Sequence, residues 1–460
     1  MKYDLVVIGG GPAGYVGAIR AAQLGKRVAC VENDRAGGTC LNWGCIPTKS
    51  LLRNAEIYQL LTHRIEEFGI AVEGLSFDWS KVIQRSRKTA DKLAGGVEFL
   101  LKKNKIDYVR GTGALSGAGQ VSVDPAEGDS TTLDAGEILI STGCATRELP
   151  GLPINGKSVI GSRDAMTLSQ PPKDMIIIGA GAIGVEFAYF YNAFGVKVTL
   201  VEMMPAVLPV EDEEISKVLE RSFKKQGIRT LTGTKVAGTR DHGDHVEITV
   251  EGASNETLSA EVCLVAIGVS PVLPQSHKPI QLDERGFIRI DERYRTSLPN
   301  VYAAGDVIGP PWLAHTASYE AIQAVEGIFV EGHTPRKVGV FPGCTYCHPQ
   351  VASAGLTAQA AKEKGLKYRV GKFPFSASGK ALAVGEPEGF VKLIFGDPHG
   401  EILGAHIVGD NATELIGELG LAMELEATWE EIEATIHAHP TLSEAIHEAA
   451  GAAFDKAIHI

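Results

Sequence analysis

Residues 4–14 read Asp4-Leu5-Val6-Val7-Ile8-Gly9-Gly10-Gly11-Pro12-Ala13-Gly14 and predict a buried strand, a tight turn and a helix. In this G-x-G-x-x-G spacing, Gly9 makes the turn, Gly11 lets the backbone approach a pyrophosphate, and Gly14 packs the helix on the strand. The helix N-terminus would then face the phosphates of a dinucleotide. A second apolar strand ends in Glu32, whose carboxylate would accept a hydrogen bond from a ribose hydroxyl. The predicted unit is βαβ.

The same unit recurs 170 residues further along the chain, with its strand, helix and terminal acid in register. One glycine pattern is weak support for a dinucleotide site, since glycines at strand-to-helix turns are often only packing devices. Two copies in register are strong support, and they predict an α/β chain with two Rossmann-like dinucleotide-binding domains. The second copy comprises the strand Met175 to Ile178, the glycines Gly179, Gly181 and Gly184, the strand Lys197 to Val201, and Glu202.

A pair of cysteines, Cys40 and Cys45, follows directly on the first βαβ unit. A disulfide needs Cα atoms closer than about 7 Å, whereas positions i and i+5 of a regular helix lie roughly 8.7 Å apart. We therefore expect a distorted helix, with Gly44 and Pro47 permitting the distortion. A helix start also favours the thiolate, which is the reactive form of cysteine. The alternatives are two buried structural cysteines or half of a zinc site, but the flanking residues have no role in metal binding, and no metal site is predicted.

Two dinucleotide sites beside a dithiol indicate electron transfer between a tightly held carrier, FAD, and an exchanging nicotinamide. The acid Glu202 is followed by Met203 and Met204, with no Arg or Lys. A carboxylate without a basic neighbour would repel a 2′-phosphate, so NAD is favoured over NADP.

Composition bounds the remaining function classes. The chain has 460 residues, 44% of them hydrophobic and 22% charged, which predicts a folded protein of about three or four domains. The net charge of −12 argues against sequence-independent nucleic-acid binding, because that binding needs basic residues to neutralise phosphates. Glycines interrupt every apolar run before it reaches membrane-spanning length. The seven cysteines are odd in number and show no regular spacing, which argues against the disulfide framework of a secreted protein. No basic leader is apparent. We expect a cytoplasmic protein without a membrane partner.

Changes in the pattern of predicted strands and helices along the chain predict four domains. The stretch Asn300 to Asp306 reads as an apolar strand ending in a Gly-Asp pair that could place a carboxylate on cofactor hydroxyls, although a plain strand-end turn fits equally well from spacing alone. Beyond Arg336 strands precede helices, which indicates an α+β domain without a nucleotide fingerprint. The predicted boundaries are 1–147 for FAD binding, 148–268 for NAD binding, 269–337 for a central domain completing the FAD site, and 338–460 for a dimer-interface domain.

The C-terminal domain contains His437-Ala438-His439-Pro440-Thr441-Leu442-Ser443-Glu444. From spacing alone, His439 could be a satisfied loop histidine and Glu444 a helix-capping partner. A histidine fixed beside a proline and within reach of a carboxylate is also how a general base is held, and oxidation of a dithiol needs a base. Cys344 and Cys347 are interpreted as structural, and the Glu-rich run from Glu414 to Glu433 as a solvated helical face.

Taken together, these motifs resemble the pyridine nucleotide disulfide oxidoreductases from end to end. The resemblance is carried by Gly9-x-Gly11-x-x-Gly14, Gly38-Thr39-Cys40-Leu41-Asn42-Trp43-Gly44-Cys45, Gly179-x-Gly181-x-x-Gly184, Gly305-Asp306 and the histidine stretch 437–444. It implies two Rossmann-like domains plus a C-terminal α+β dimerisation domain, and a homodimer in which the catalytic histidine comes from the other subunit. It further implies oxidation of protein-bound dihydrolipoamide to lipoamide with reduction of NAD, and partners in the lipoyl domains and acyltransferase core of a 2-oxo acid dehydrogenase complex.

The resemblance also implies roles for single residues. Cys40 corresponds to the interchange thiol that meets substrate, Cys45 to the thiol that contacts the flavin, His439 to the base and Glu444 to its orienting carboxylate. Lys49 and Glu186 correspond to an ion pair near the flavin. Further FAD contacts are implied for Gly38, Thr39, Gly113, Thr142, Gly143, Asp306 and Ala314, and further NAD contacts for Glu202, Val236 and Gly268.

Two rival functions remain at this point. A glutathione reductase should show basic residues after the second fingerprint's terminal strand, where this chain has Glu202-Met203-Met204. A non-catalytic flavoprotein scaffold or redox sensor would not need Cys40, Cys45 and His439 together.

Overall fold

The structure, a computed structural model, describes residues 2–460 and divides into two compact units. The first unit comprises 1–51, 80–147 and 268–339, and the second comprises 52–79, 148–267 and 340–460. The four predicted domain boundaries stay predictions.

The first unit is built on a seven-stranded sheet whose central strands are parallel. Its strand Val28–Glu32 is buried along its whole length, as expected for a parallel strand covered on both faces. In spatial order the strands are Asp107–Arg110, Val28–Glu32, Lys2–Ile8, Thr131–Ile140, Gln120–Asp124 and Thr112–Gly117, with Val301–Ala303 also paired to Thr131–Ile140. The short strands Cys144–Thr146 and Val269–Pro271 form a separate antiparallel pair.

Helices cover this sheet and carry the cysteine pair. The fingerprint helix Pro12–Gln23 begins with proline in its first turn, where the missing N–H costs nothing. The remaining helices are Gly38–Trp43, Cys45–Gln59, Trp79–Lys103 and Ala314–Phe329, with a 3₁₀ turn at Asp306–Ile308. Of these, Cys45–Gln59 and Trp79–Lys103 run across the boundary between the units.

The second unit repeats the βαβ arrangement in a parallel five-stranded sheet. Its strands, in spatial order, are Arg229–Leu231, Lys197–Val201, Asp174–Ile178, Val262–Val265 and Val159–Ile160, with helices Ser162–Ala165, Ala182–Ala193 and Glu213–Lys225. An antiparallel sheet of Thr234–Asp241, Val246–Gly252 and Glu256–Ala260 adjoins it. Both predicted βαβ units are thus present, each within about two residues of the predicted bounds.

The C-terminal part of the second unit is an antiparallel five-stranded sheet with helices, as the change of texture after Arg336 predicts. Its strands, in spatial order, are Pro342–Thr345, Gln350–Gly355, Ile402–Gly409, Phe390–Gly396 and Tyr368–Pro374. Its helices are Ala358–Glu363, Gly379–Ala383, Ala412–Glu424, Trp429–Ala434 and Glu444–Ala452, with a 3₁₀ turn at Phe375–Ala377. The second unit also includes the π turn Leu60–Arg64 and the 3₁₀ turn Ile65–Phe68. Across residues 2–460, no helix is both long and apolar enough to cross a membrane.

A buried ion pair ties the helix Glu213–Lys225 to the C-terminal sheet. The Lys392 ammonium donates to both carboxylate oxygens of Asp212, at 2.8 and 3.0 Å, and both side chains are at most 5% exposed. Asp212 also caps the helix, accepting the Glu214 N–H at 3.1 Å. Its neighbour Glu211 is half-buried with its Oε2 shielded from water and no cation beside it among the described contacts, and desolvation raises its pKa to about 7.

We predict that Glu211→Gln stabilises the protein at alkaline pH. With its pKa raised above the unfolded value, Glu211 binds a proton more readily in the folded state, so its contribution is fully present below about pH 4.5 and is lost as pH rises through about 7. The neutral amide avoids that loss. Thermal unfolding of the flavin-loaded protein should show equal midpoints at pH 5 and a midpoint about 2–4 °C higher for the variant at pH 8. The exposed Glu213→Gln, which removes the same charge, is the control, and an equal gain at both pH values would contradict the prediction.

Candidate active site

The segment that carries the cysteine pair lies directly on the first glycine fingerprint. The Gly37 N–H donates to the Gly10 carbonyl at 2.9 Å. A Cβ on Gly38 would lie 2.5 Å from the Cα of Gly11, so the two backbones touch where neither residue has a side chain. Two thiols are therefore delivered to the loop that is predicted to hold a pyrophosphate.

The helix is interrupted between the cysteines, as predicted. One helix ends at Trp43, Gly44 has φ −148° and ψ −117°, and a new helix begins at Cys45. A Cβ on Gly44 would lie 3.1 Å from the Thr39 carbonyl oxygen, which explains the need for glycine in this close approach. Pro47 occupies the first turn of the new helix, where a backbone N–H has no partner within the helix.

The break brings the two sulfur atoms within hydrogen-bonding reach of each other. The hydrogen bond with Cys45 raises the pKa of the Cys40 thiol, burial raises it further, and the charge of Lys49 opposes both effects. Cys45 is the first residue of a 15-residue helix, the position where the helix dipole favours a thiolate. Two thiols in this contact suit reversible disulfide exchange.

Each fingerprint is closed by its predicted glutamate in the same way. Glu32 accepts the Gly10 N–H at 2.7 Å and the Asp34 N–H at 2.8 Å. Glu202 accepts the Ala180 and Met204 N–H groups, both at 2.7 Å. Each carboxylate is thus fixed at the carboxyl end of its strand, and each oxygen keeps one lone pair for a ribose hydroxyl.

The glycines of each fingerprint divide into two kinds. A Cβ on Gly14 or Gly184 would lie 1.8 or 1.9 Å from a backbone oxygen, so these glycines are required by packing inside the protein. A Cβ on Gly181 meets nothing within 4 Å, and on Gly11 only the Gly38 Cα at 3.9 Å. Glycine at these two places leaves open space, so that a pyrophosphate could lie close to the protein backbone. The residues present therefore fit a dinucleotide in both units.

This division predicts opposite outcomes for two alanine substitutions in the second fingerprint. Gly181→Ala should fold normally and raise the KM for NAD by about tenfold or more, because the added methyl group fills the space for the pyrophosphate. Gly184→Ala should lower the thermal midpoint or abolish soluble expression, because its methyl group meets the Gly179 carbonyl oxygen. Steady-state kinetics and thermal unfolding of both variants check this, and an unchanged KM in Gly181→Ala would contradict it.

Asp306, a predicted FAD contact, is a buried carboxylate in the first unit. Burial raises the pKa of Asp306 to about 6, and its carbonyl accepts the Cys144 thiol at 3.2 Å. The sequence did not single out Glu320, which accepts the Gly305 N–H at 2.8 Å and whose pKa burial raises to about 7. The sequence offered no signal that sets Glu320 apart, since the same helix also carries Glu326.

The remaining predicted cofactor residues occupy varied positions. Thr142 donates its hydroxyl to the Val272 carbonyl, and Gly143 has a left-handed φ of +69°. Glu186 is 4% exposed and accepts the Tyr346 N–H at 2.9 Å, whereas Lys49 belongs to the first unit, so their ion pair stays a prediction.

The other predicted contacts lie in or next to regular elements. Gly38 and Thr39 open the helix Gly38–Trp43, Gly113 lies in the strand Thr112–Gly117, and Ala314 begins the helix Ala314–Phe329. Val236 lies in the strand Thr234–Asp241, and Gly268 precedes the strand Val269–Pro271 in the first unit.

The C-terminal histidine is held as a general base would be. His439 Nδ1 lies 2.8 Å from Glu444 Oε1, and the Thr441 N–H donates to Glu444 Oε2 at 2.8 Å. Partial burial would raise the pKa of Glu444, but these two hydrogen bonds lower it overall. An ionised carboxylate can only accept, so Nδ1 carries the proton and Nε2 is left as the basic atom of a neutral imidazole. Glu444 therefore binds the Thr441 N–H ahead of the helix Glu444–Ala452, whose N-cap is Ser443, and it also orients His439, whose side chain is 80% exposed.

His437 is bound by a residue that the sequence analysis assigned to a solvated face. Its Nε2 lies 2.8 Å from Glu418 Oε1 and its Nδ1 lies 3.1 Å from the Thr435 carbonyl. The hydrogen bond with Glu418 raises the pKa of His437, whose side chain is only 7% exposed. Glu418 stays 35% exposed, so the interpretation of the Glu-rich run as solvated stays a prediction; its contact with His437 was not predicted, because an i, i+4 pattern does not reveal a histidine 19 residues away.

The structural interpretation of Cys344 and Cys347 stays a prediction. Cys347 is buried and its thiol donates to the Pro349 carbonyl, while Cys344 lies in the strand Pro342–Thr345.

One group of potential metal ligands occurs among residues 2–460. The ligand atoms of His242, His245 and Glu247 lie within 4.8 Å of one another. The two imidazole planes are within 3° of parallel and stacked at 4.3 Å, so their in-plane lone pairs do not converge on one ion.

Comparison with known proteins identifies the family. Residues 3–321 match the model of the pyridine nucleotide-disulphide oxidoreductases, and residues 341–450 match the dimerisation domain of the same family. The chain belongs to the pyridine nucleotide-disulphide oxidoreductase family. This membership confirms the predicted family and fold class, and the dimerisation domain supports a homodimer.

Relatives in this oxidoreductase family match nearly the whole chain. A dihydrolipoyl dehydrogenase from Chlorobaculum parvum is 46% identical, and the match covers 98% of this chain and 97% of that protein. A dihydrolipoyl dehydrogenase from Bacillus subtilis is 44% identical, and the match covers 100% of this chain and 99% of that protein. Among solved structures, LpdA from Mycobacterium tuberculosis superposes with a TM-score of 0.90 at 26% identity, covering 98% of this chain and 99% of that one. The HOCl-induced flavoprotein disulfide reductase RclA from Escherichia coli gives 0.87 at 26% identity, with 98% and 99% covered.

Proposed function

We propose that this protein oxidises protein-bound dihydrolipoamide to lipoamide and reduces NAD to NADH, with FAD as its resident cofactor. The observation that carries the proposal is the interrupted helix that places the Cys40 and Cys45 sulfurs together beside a dinucleotide fingerprint. Full-length relatives at 42–46% identity that are dihydrolipoyl dehydrogenases support the substrate.

The residues that would hold the two dinucleotides are those predicted from the sequence. FAD would lie on Gly9, Gly11, Gly14 and Glu32, with Gly38, Thr39, Lys49, Gly113, Thr142, Gly143, Asp306 and Ala314. NAD would lie on Gly179, Gly181, Gly184 and Glu202, with Val236 and Gly268, while Glu186 stays the predicted ion-pair partner of Lys49 near the flavin. When bound, the flavin supplies the two-electron chemistry that connects a dithiol to a nicotinamide.

The chain's own side chains handle thiols and protons. His439 Nε2 takes the proton of one substrate thiol, and the resulting thiolate attacks Cys40 in the Cys40–Cys45 disulfide. A mixed disulfide forms between substrate and Cys40, and Cys45 leaves as a thiolate. The exposed His439 releases its proton to water and takes the proton of the second substrate thiol. That thiolate attacks the substrate sulfur of the mixed disulfide, so lipoamide is released and Cys40 leaves as the thiolate. The two electrons of the substrate then reside on the Cys40–Cys45 pair.

In the homodimer, His439 of one subunit takes the proton of a substrate thiol that attacks the cysteine pair of the neighbouring subunit. The exposed His439 side chain is suited to that role, because its imidazole is fixed by Glu444 yet open on its Nε2 side. The E2 acyltransferase core of a 2-oxo acid dehydrogenase complex is the proposed larger partner, reached through its lipoyl domains, and the cytoplasm is the proposed location.

Anaerobic titration of the purified flavoprotein with dihydrolipoamide tests the proposal. We expect the absorbance of the oxidised protein to change with the first equivalent of dithiol and NADH to form when NAD is added. Glutathione with NADPH is the parallel assay for the reductase alternative, and a scaffold should respond in neither assay. Failure to be reduced by dihydrolipoamide would overturn the proposal.

A further inference from the structure

Three consecutive residues of the helix Trp79–Lys103 contact the segment that contains the cysteine pair. Arg85 Nη1 donates to the Ser50 carbonyl at 2.8 Å and to its hydroxyl at 2.9 Å. The Ser86 hydroxyl donates to the Pro47 carbonyl at 3.1 Å. The guanidinium carbon of Arg87 lies 4.7 Å from the centre of the Trp43 ring. The redox-active segment therefore rests on a helix that the fingerprint does not include.

Trp43 is the critical contact because of its place in the sequence. It is the last residue of the helix that carries Cys40, and only Gly44 separates it from Cys45. Its indole N–H donates to Asp34 Oδ2 at 2.9 Å, and the Asp34 N–H donates to Glu32. The indole is thus held at its edge by Asp34 and on its face by Arg87, which fixes the backbone at the helix break.

The contact with Arg87 is shielded from water. The three guanidinium nitrogens of Arg87 have almost no accessible surface. A cation over an aromatic face stabilises more when it is desolvated than when it is exposed to solvent. Gly44 supplies no side chain to hold the break. Thr48 holds the Gly44 carbonyl through its N–H at 3.1 Å and its hydroxyl at 2.7 Å, and Trp43 is the neighbouring side chain that reaches the helix Trp79–Lys103.

We propose that Arg87 and Trp43 act as positioning residues that keep the Cys40 and Cys45 sulfurs within reach of each other, the arrangement that a disulfide needs. The inference rests on the proposed function, in which this pair cycles between disulfide and dithiol. The clamp favours the oxidised pair, since a disulfide requires both sulfurs in one arrangement whereas a dithiol tolerates many. Loss of the clamp should shift the pair toward the dithiol.

The test measures the thiol–disulfide equilibrium of the flavoprotein directly. Wild type, Arg87→Met and Trp43→Phe are equilibrated anaerobically in buffers of reduced and oxidised dithiothreitol, and alkylation of Cys40 and Cys45 is quantified by mass spectrometry. We expect Arg87→Met to shift the equilibrium about 3- to 10-fold toward the dithiol, a potential about 15–30 mV more positive for a two-electron couple. Trp43→Phe, which keeps a ring and loses the N–H donor, should shift it in the same direction by less.

Lys88→Met is the matched control, because Lys88 lies on the same helix, is exposed and carries the same charge. A shift for Arg87→Met that equals the shift for Lys88→Met would overturn the proposal. A shift of Arg87→Met toward the disulfide would also overturn it. That direction is expected if Arg87 acts only through its charge, because loss of a cation disfavours the thiolates of the reduced pair. If Arg87→Met does not fold, Trp43→Phe decides by the same criterion. The readout uses dithiothreitol, so it remains informative even if dihydrolipoamide proves not to be the substrate.

Discussion

Replacing His439 by glutamine should lower the rate of dihydrolipoamide oxidation by about 10²- to 10⁴-fold, the range over which a positioned general base acts. Glutamine keeps a polar side chain of similar length but has no basic nitrogen. Without the base, the substrate thiol must lose its proton to water before it can attack Cys40. Stopped-flow measurement of the reductive half-reaction checks this directly.

The contrast with NADH-driven chemistry makes the test specific. Reduction of an artificial electron acceptor by NADH needs no proton transfer from a dithiol, so His439→Gln should retain that activity together with its bound flavin. The loss should shrink as the pH is raised toward the pKa of the substrate thiol, because more substrate is then already thiolate. An undiminished rate of dithiol oxidation in a homogeneous preparation would exclude His439 as the base.

Replacing Cys40 by serine should remove dihydrolipoamide oxidation altogether, with a fall of at least about 10³-fold. A hydroxyl cannot form the mixed disulfide that the exchange requires. Flavin binding and NADH-driven reduction of an artificial acceptor should continue. Turnover with lipoamide substrates and thermal unfolding together separate this loss from misfolding.

Two companion variants sharpen the result. Cys263→Ser changes a fully buried thiol whose pKa burial raises to about 12, so it should leave turnover unchanged. Cys45→Ser keeps Cys40 but lacks the resolving thiol, so an aromatic disulfide reagent should leave a stable mixed disulfide on Cys40, visible as an added mass. Substantial turnover in Cys40→Ser, or no adduct in Cys45→Ser, would contradict the roles assigned to the two thiols.

The spacing of nearby residues predicted the turns, the helix break and the histidine–carboxylate pair of the candidate site, because each of these features involves residues close together in the sequence. The glycine spacing anticipated both strand-to-helix turns, and the distance between Cys40 and Cys45 required the helix break found at Gly44. The pairing of His439 with Glu444 could be anticipated because the two residues are five positions apart on either side of a helix start.

Long-range contacts could not be predicted in the same way. Arg87 lies 44 residues from Trp43, and Lys392 lies 180 residues from Asp212, so no periodicity connects either pair. Glu418 and Glu320 looked like ordinary helix glutamates because the sequence does not show which face of a helix is covered. Folding decides which of many similar carboxylates become buried, and a single sequence does not carry that information.

The arrangement around Glu444 has a consequence for which side chains can occupy that position. Its two oxygens accept from two different donors, the Thr441 N–H and His439 Nδ1. An amide of the same shape can still accept the Thr441 N–H through its oxygen, but its NH₂ group is then a donor that faces Nδ1. A neutral imidazole meets that donor with the Nδ1 lone pair and carries its proton on Nε2. An amide at this position would therefore keep the turn ahead of the helix and reverse the imidazole tautomer, so that Nε2 could no longer accept a proton.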